Sequence, residues 1–202
     1  MCHTEPMKSS YHHGDLAAAI LGEAIAQLKS HGVDGVTLRS VCGALGVSQS
    51  ATYHHFKNKE SLLQEMAVQG ELELTRRFKA ALLGLEANTD EAAIARFQAL
   101  GRAYISYAIE EPNLFTLTFA PGSHGHLLQI NGESMEILHQ TISQLASRNL
   151  LRSNNFEGLA LVAWTTVHGF AQLSISGMVE PEQLENLLAT MQDVFIQGKA
   201  KS

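Results

Sequence analysis

From Val36 to Phe56 the sequence VTLRSVCGALGVSQSATYHHF holds two helix starts with a helix stop between them. Few backbone arrangements satisfy all three. Thr37 offers a hydroxyl to cap a helix, Leu38, Val41, Cys42 and Leu45 recur at spacings of three and four on one face, and Gly46 supplies the left-handed position that ends the helix. Val47 fills a three-residue turn and Ser48 is a second cap. The next helix is expected to bury Ala51 and Phe56 and to leave Gln49, Ser50, Thr52, Tyr53 and His54 outward. This is the pattern of a helix-turn-helix. Its outer face suits a DNA major groove, since Gln pairs with adenine, Ser and Thr take either role at a base edge, and Tyr, His and Lys bond phosphate oxygens. An ordinary helical hairpin with a solvated polar face has the same spacing.

The next residues are KNKESLL, in which Asn58 caps the following helix and Lys57 and Lys59 place positive charge where the chain turns back. From Tyr11 to Leu63, with GVSQSATYHHFKNKESLL at its heart, the chain closely resembles the DNA-binding domain of the TetR family of bacterial one-component repressors. The candidate DNA contacts are Thr37, Arg39, Ser48, Gln49, Ser50, Thr52, Tyr53, His54, Lys57 and Lys59. Gln49 and Ser50 are expected to read bases, and Tyr53 and Lys59 to hold the backbone.

Every other segment reads as helix, so the expected fold is all-α. A helix from Asp15, a plausible cap, to Gly32 carries Leu16, Ile20, Leu21, Ala24, Ile25 and Leu28 on one face. The helix after Asn58 runs to about Leu83, and at 1.5 Å per residue its roughly 24 residues span about 36 Å. It joins an N-terminal DNA-binding domain, residues 1–60, to a C-terminal body, residues 61–202. In the body, helices are expected over Asp90–Glu110, Pro112–Phe119, His126–Asn149, Phe156–Ser176 and Pro181–Gly198. The helix from Phe156 is apolar on nearly every side and the last carries a broad stripe of Leu184, Leu187, Leu188, Met191, Val194 and Phe195, so these two are expected to form a homodimer interface.

WTTVHGFA, with Trp164, His168 and Gly169, resembles the Trp-His-Gly pattern of one TetR-like C-terminal domain family. The resemblance implies a cavity for a largely apolar ligand, for which the candidate lining is Phe97, Tyr104, Phe115, Phe119, Met135, His139, Trp164 and His168. The spacing by itself equally describes a packed aromatic beside a histidine bonded within the core.

Charge cuts against a simple electrostatic account of DNA binding. Residues 1–60 hold five Lys or Arg and five Asp or Glu, and the remaining nine bases and fifteen acids set the net charge of −6. That neutrality is the best support for an alternative in which the helix-turn-helix serves protein contact on a helical ligand-binding protein. His124, His126 and His139 suggest a metal-sensing variant, as the Tyr11, His12, His13 and Gly14 run suggests a weaker site, but neither shows the full set of ligands zinc takes, so no metal or cofactor is expected. An enzyme is not expected either, because there is no GxSxG elbow, phosphate-cradling glycine loop, HExxH or CxxC, and Glu110 and Glu111 turn to different faces. The N-terminus lacks an apolar core of signal-peptide length. Leu159–Met178 is interrupted by Thr165, Thr166, His168, Gln172, Ser174 and Ser176, which suits burial in protein better than in lipid. Cys2 precedes the first helix and Cys42 falls on the packed face of another, so no disulfide is expected, consistent with a reducing compartment. Taken with the TetR resemblance, which implies a repressor on a (pseudo)palindromic double-stranded DNA operator released by a small, largely apolar effector, these features predict a cytoplasmic, dimeric transcriptional regulator of that kind.

Overall fold

Helices form wherever apolar residues recur at three and four, and the computed structural model describes residues 13–120 and 132–197. In chain order they are α1 (His13–Gly35), α2 (Leu38–Leu45), α3 (Gln49–His55), α4 (Lys59–Leu82), α5 (Asp90–Glu110), α6 (Pro112–Thr118), α7 (Glu133–Ser147), α8 (Phe156–Ile175) and α9 (Leu184–Phe195), with a 3-10 turn at Pro181–Gln183. The fold is all-α: among the described residues there is no strand, only an isolated bridge between Leu151 and Ile196. Two compact units, Met1–Met66 and Ala67–Ser202, divide within α4.

Local chemistry sets most helix ends. Asn58 accepts from the Ser61 amide at 2.8 Å, Thr89 from the Ala92 amide at 3.1 Å and Asn155 from the Gly158 amide at 3.0 Å. Pro112 sits in the first turn of α6, where its missing N–H costs nothing. Helix α1 begins at His13, so the expected cap Asp15 falls inside the first turn, and its regular geometry breaks at Gly32, whose φ is +71°. Only Glu133–Ser147 of the helix expected over His126–Asn149 belongs to the described residues; Leu127, Leu128, His124 and His126 lie outside them, as do Tyr11 and His12. The last helix stops at Phe195, earlier than expected, because Ile196 turns extended to pair with Leu151 while the Gln197 amide donates to the Leu150 carbonyl at 2.8 Å.

In the N-terminal unit Ile20, Ala24 and Leu28 of α1 are fully buried, as are Val36 and Val41 beside them. The Ser40 hydroxyl donates to the Gln27 side chain at 2.7 Å and fastens α2 to α1. In the C-terminal unit α5 is the central helix, packed against α6, α7, α8 and α9. Arg77 of α4 donates to Glu73 and to Glu110 of α5, both at 2.7 Å, and its guanidinium lies 5.3 Å from the centre of the Tyr107 ring. Bonds from Arg76 and Arg77 hold the Glu73 carboxyl down at about 2. Arg148 ties the end of α7 to the Ala87 carbonyl and to Asp90 at the start of α5. The α8 segment Phe156–Ile175 is, among the described residues, one helix long and apolar enough to cross a membrane; its Ala160, Ala163, Val167, Phe170 and Ala171 are buried within the unit.

Close packing of α4 depends on Gly70, where an added Cβ would collide with the Thr118 hydroxyl and stand 2.9 Å from the Tyr107 hydroxyl. Both of those side chains are fully buried and cannot retreat. Gly70→Ala should therefore destabilise the protein by about 1–3 kcal/mol, although alanine is the better helix former by about 1 kcal/mol. Urea unfolding monitored by circular dichroism measures it, and a more stable alanine variant would show that this contact does not limit the packing.

Candidate functional site

The helix-turn-helix is built by its caps. Thr37 Oγ1 accepts from the Ser40 amide at 3.0 Å while the Thr37 amide donates to Ser40 Oγ at 3.1 Å, a reciprocal box in which serine takes the place usually held by Glu or Gln. Gly46 closes α2 at φ +65°, the Val47 amide donates to the Cys42 carbonyl at 3.1 Å, and Ser48 Oγ accepts from the Ala51 amide at 3.2 Å. These bonds set the angle at which α3 leaves the turn. Gln49, Ser50, Tyr53 and His54 are exposed on α3, Tyr53 by 51%, with Arg39 on α2 and Lys57 after α3 also exposed.

Two candidate contacts lie elsewhere. Thr52 is 0% exposed, and its hydroxyl is 2.9 Å from Cys42 Sγ. It stands four residues before the buried Phe56 and so shares its face, whereas Ala51, five residues before, is turned partly outward. Lys59 is half-buried and its ammonium donates to the Val33 carbonyl at 2.7 Å, which ties the start of α4 to the end of α1. Thr37 and Ser48 spend acceptor capacity on their own helices.

The C-terminal unit holds an aromatic cavity. Glu71, Leu74 and Phe78 of α4, Phe97, Gln98, Leu100, Gly101 and Tyr104 of α5, and Phe119 after α6 form part of its wall. Ser134, Met135 and Leu138 of α7, Ala163, Trp164 and Val167 of α8, and Leu188 and Met191 of α9 complete it. The space open to the centre of a water-sized sphere is about 40 Å³, room for roughly three waters. Over its wall runs a hydrogen-bonded chain. Trp164 Nε1 donates to the Tyr104 hydroxyl at 3.3 Å, and that hydroxyl lies 2.8 Å from His168 Nδ1. For Tyr104 to accept from the indole and still use its own proton, Nδ1 must be the acceptor and the imidazole neutral. Burial favours that state, since it holds the His168 pKa below its ordinary value and pushes that of Tyr104 up.

The family profile of bacterial regulatory proteins of the tetR family matches residues 20–66, and that of the tetracyclin repressor-like C-terminal domain matches residues 97–195. The chain belongs to the TetR family. It is a TetR-family transcriptional regulator with a DNA-binding N-terminal domain. Among relatives, the HTH-type transcriptional regulator YobS of Bacillus subtilis, itself uncharacterized, is 24% identical over 191 residues, 91% of this chain and 92% of YobS. The class A tetracycline repressor of Escherichia coli is 44% identical over 48 residues, 24% of this chain and 22% of the repressor. A Rhodococcus sp. RHA1 protein of unknown function superposes with a TM-score of 0.77 at 30% identity, covering 92% of this chain and 96% of that one. A tetR-family regulatory protein, also from Rhodococcus RHA1, shares the fold at a TM-score of 0.61 and 19% identity, over 87% and 96% of the two chains.

Of the residues proposed from sequence to line a cavity in this TetR-family chain, Phe97, Tyr104, Phe119, Met135 and Trp164 do so. Phe115 is fully buried behind the wall, its ring centre 5.6 Å from that of His168 and the two planes inclined by 28°. His168 acts through Tyr104 rather than lining the space itself. His139 is a correction: it is exposed on α7, whose buried stripe is Leu138, Thr141, Ile142 and Leu145. Sequence reasoning missed Glu71. Its signal was an acid in the stripe Ala67, Glu71, Leu74 and Phe78, whose four-three-four spacing puts the carboxylate on the buried face. Among the described residues no group of three His, Cys, Asp or Glu is placed to hold a metal ion.

The lowered His168 pKa gives a signed prediction. The native state binds fewer protons there than the unfolded chain, so the stability this residue adds is present above the unfolded pKa of about 6.5 and is lost as pH falls through the lowered folded value. The wild type should exceed His168→Gln in stability by about 1 kcal/mol at pH 7.5, with the margin shrinking toward pH 5. Urea titrations of both proteins across that range measure it; a margin constant with pH would contradict a neutral His168.

Proposed function

We propose that this regulator is a ligand-responsive repressor, a homodimer that occupies a palindromic operator through α3 and is released by a small, largely apolar effector bound in the C-terminal cavity. The observation that carries the reading is the aromatic cavity with its Trp164, Tyr104 and His168 chain, in a protein whose N-terminal domain binds DNA. Pockets for drug-sized ligands run to roughly 300–1,000 Å³, so an effector must widen this one. Met135 and Met191 in the wall are side chains suited to such movement. A ligand that fits only the widened form draws the population toward it, and repression is relieved if that form holds DNA less well.

The exposed face of the body supports a dimer through α8 and α9. Leu161 is 56% exposed, Val194 60%, and Val162 and Leu173 are also open. A second copy is the natural cover for such a surface, because a soluble monomer rarely leaves a contiguous apolar patch. On α3, Gln49 and Ser50 are the base-reading candidates. Tyr53, His54, Arg39 and Lys57 are the backbone-holding ones, with Lys57 rather than Lys59 the cation to test.

Val194→Asp should convert the dimer to a monomer with its helicity intact, since this side chain is exposed within the protomer and the charge meets only the partner's apolar surface. Sedimentation at micromolar concentration reads this, and a wild type that sediments as a monomer would end the dimer reading. On an operator selected from random duplexes, Gln49→Ala should cost roughly 1–3 kcal/mol and relax one base position. Lys57→Ala should weaken all sequences alike and lower the salt slope by about one.

The function as a whole is tested with Trp164, the chain's only tryptophan, as reporter. Compounds that change its fluorescence are scored in parallel for operator release. A compound that weakens operator binding 100-fold must itself bind 100-fold more weakly in the presence of saturating operator, a coupling of about 2.7 kcal/mol. Compounds that occupy the cavity equally well with and without operator would show that it does not regulate DNA binding.

A further inference from the structure

Glu71 is an anomaly in an apolar wall. It is 5% exposed, and one carboxylate oxygen, Oε1, accepts from the Ser134 hydroxyl at 2.5 Å in the first turn of α7. That bond ties α4 to the start of α7. It accounts for one oxygen only. Among the described residues, Oε2 is buried without a hydrogen-bond partner. An acceptor in that position costs about 1–3 kcal/mol, more for a charged group, and among the described residues no Lys or Arg lines the cavity to offset it. Burial raises the Glu71 pKa and outweighs the hydrogen bonding from Ser134 that lowers it, with Glu133 adding a smaller repulsion.

The same carboxylate shares the cavity with the rings of Phe78, Tyr104, Phe119 and Trp164. A buried acceptor among aromatic faces is the complement of one chemical class. An ammonium donates to the orphaned oxygen, neutralises the carboxylate and is attracted to ring faces, while its hydrocarbon body fills the apolar remainder. An alcohol of the same shape satisfies the oxygen without the charge, and a carboxylate meets like charge. We propose that the cavity selects a lipophilic organic amine, bound as its cation with an N–H donated to Glu71 Oε2. This deepens the reading of the cavity as the effector site and rests on it for its regulatory meaning, although amine binding itself does not need it.

The test uses the full-length protein at pH 7.5 and three probes of equal shape, 4-phenylbutylamine, 4-phenylbutanol and 4-phenylbutanoate, titrated by Trp164 fluorescence. The amine should bind at least about ten-fold more tightly than the alcohol, with the butanoate weakest. Glu71→Gln, which keeps shape and an acceptor for Ser134, should bring the amine within about two-fold of the alcohol, and without ligand should melt no lower than the wild type because an unpartnered charge is gone. An alcohol that binds the wild type as tightly as the amine would overturn the proposal without needing any variant to fold. So would a preference retained in Glu71→Gln, or no response to any probe up to its solubility limit. Operator binding is measured alongside. Amine preference with unchanged operator affinity supports the amine site and overturns the effector role, whereas operator release by alcohol and amine alike supports that role and overturns selection by charge.

Discussion

The C-terminal unit is organised by the need to bury the hydroxyl of Tyr104. The residue is 2% exposed at the middle of α5, and a phenol there must find partners or forfeit much of what its ring gains by burial. Both partners come from α8, Trp164 and His168, one turn apart on the same face. The two bonds therefore fix the rotation of α8 against α5 as well as its distance. The Phe115 and Phe119 rings, with centres 5.5 and 5.8 Å from that of Tyr104, bring in α6 and the residue that follows it, and Phe78 at 6.4 Å brings in α4. A polar requirement at one atom thus sets the arrangement of four helices, and the cavity is the space these large rings do not fill.

Different physics holds the N-terminal unit. Helices α2 and α3 are eight and seven residues long, too short to be stable alone in water, so caps and burial must supply what propagation does not. The Thr37 and Ser40 box, the Gly46 stop and the Ser48 cap meet the free backbone groups, and the buried pair of Cys42 and Thr52 fastens α3 to α2. Lys59 contributes to the same end, its ammonium held by a carbonyl near the end of α1. With so much polar chemistry spent on architecture, Gln49, Ser50, Tyr53 and His54 are left to the outer face. The equal number of acids and bases in residues 1–60 means recognition there relies on where cations stand rather than on how many there are.

Tyr104 and Glu71 meet the same burial differently. Tyr104 has a donor and an acceptor from one neighbouring helix; among the described residues Glu71 has a donor for one oxygen and none for the other. The first arrangement is what a core selects for stability, whereas the second gives some away. A protein that keeps an incompletely satisfied carboxylate against a cavity has the signature of a site in which stability is exchanged for recognition.

What the sequence determined by itself was local and periodic. Caps at Thr37, Ser48 and Asn58, the stop at Gly46 and the break at Pro112 act within four residues, so chain order alone reveals them. The all-helical class followed from the same periodicity, and so did Phe97, Tyr104, Phe119, Met135 and Trp164 as aromatic or apolar candidates. Where a period was misjudged the error was also local: Thr52 shares a face with Phe56 at four residues, and Ala51 at five does not. Tertiary structure decided the rest, because spacing tells which residues share a helical face but not which other helix that face meets. Hence His139 lies in solvent, Phe115 behind the wall and His168 one hydrogen bond away from it, though all three read alike as candidates. Glu71 shows the limit most clearly. A carboxylate on an apolar stripe is visible in the chain, but its meaning depends on Ser134, sixty-three residues distant, which takes one oxygen and, among the described residues, leaves the other without a partner.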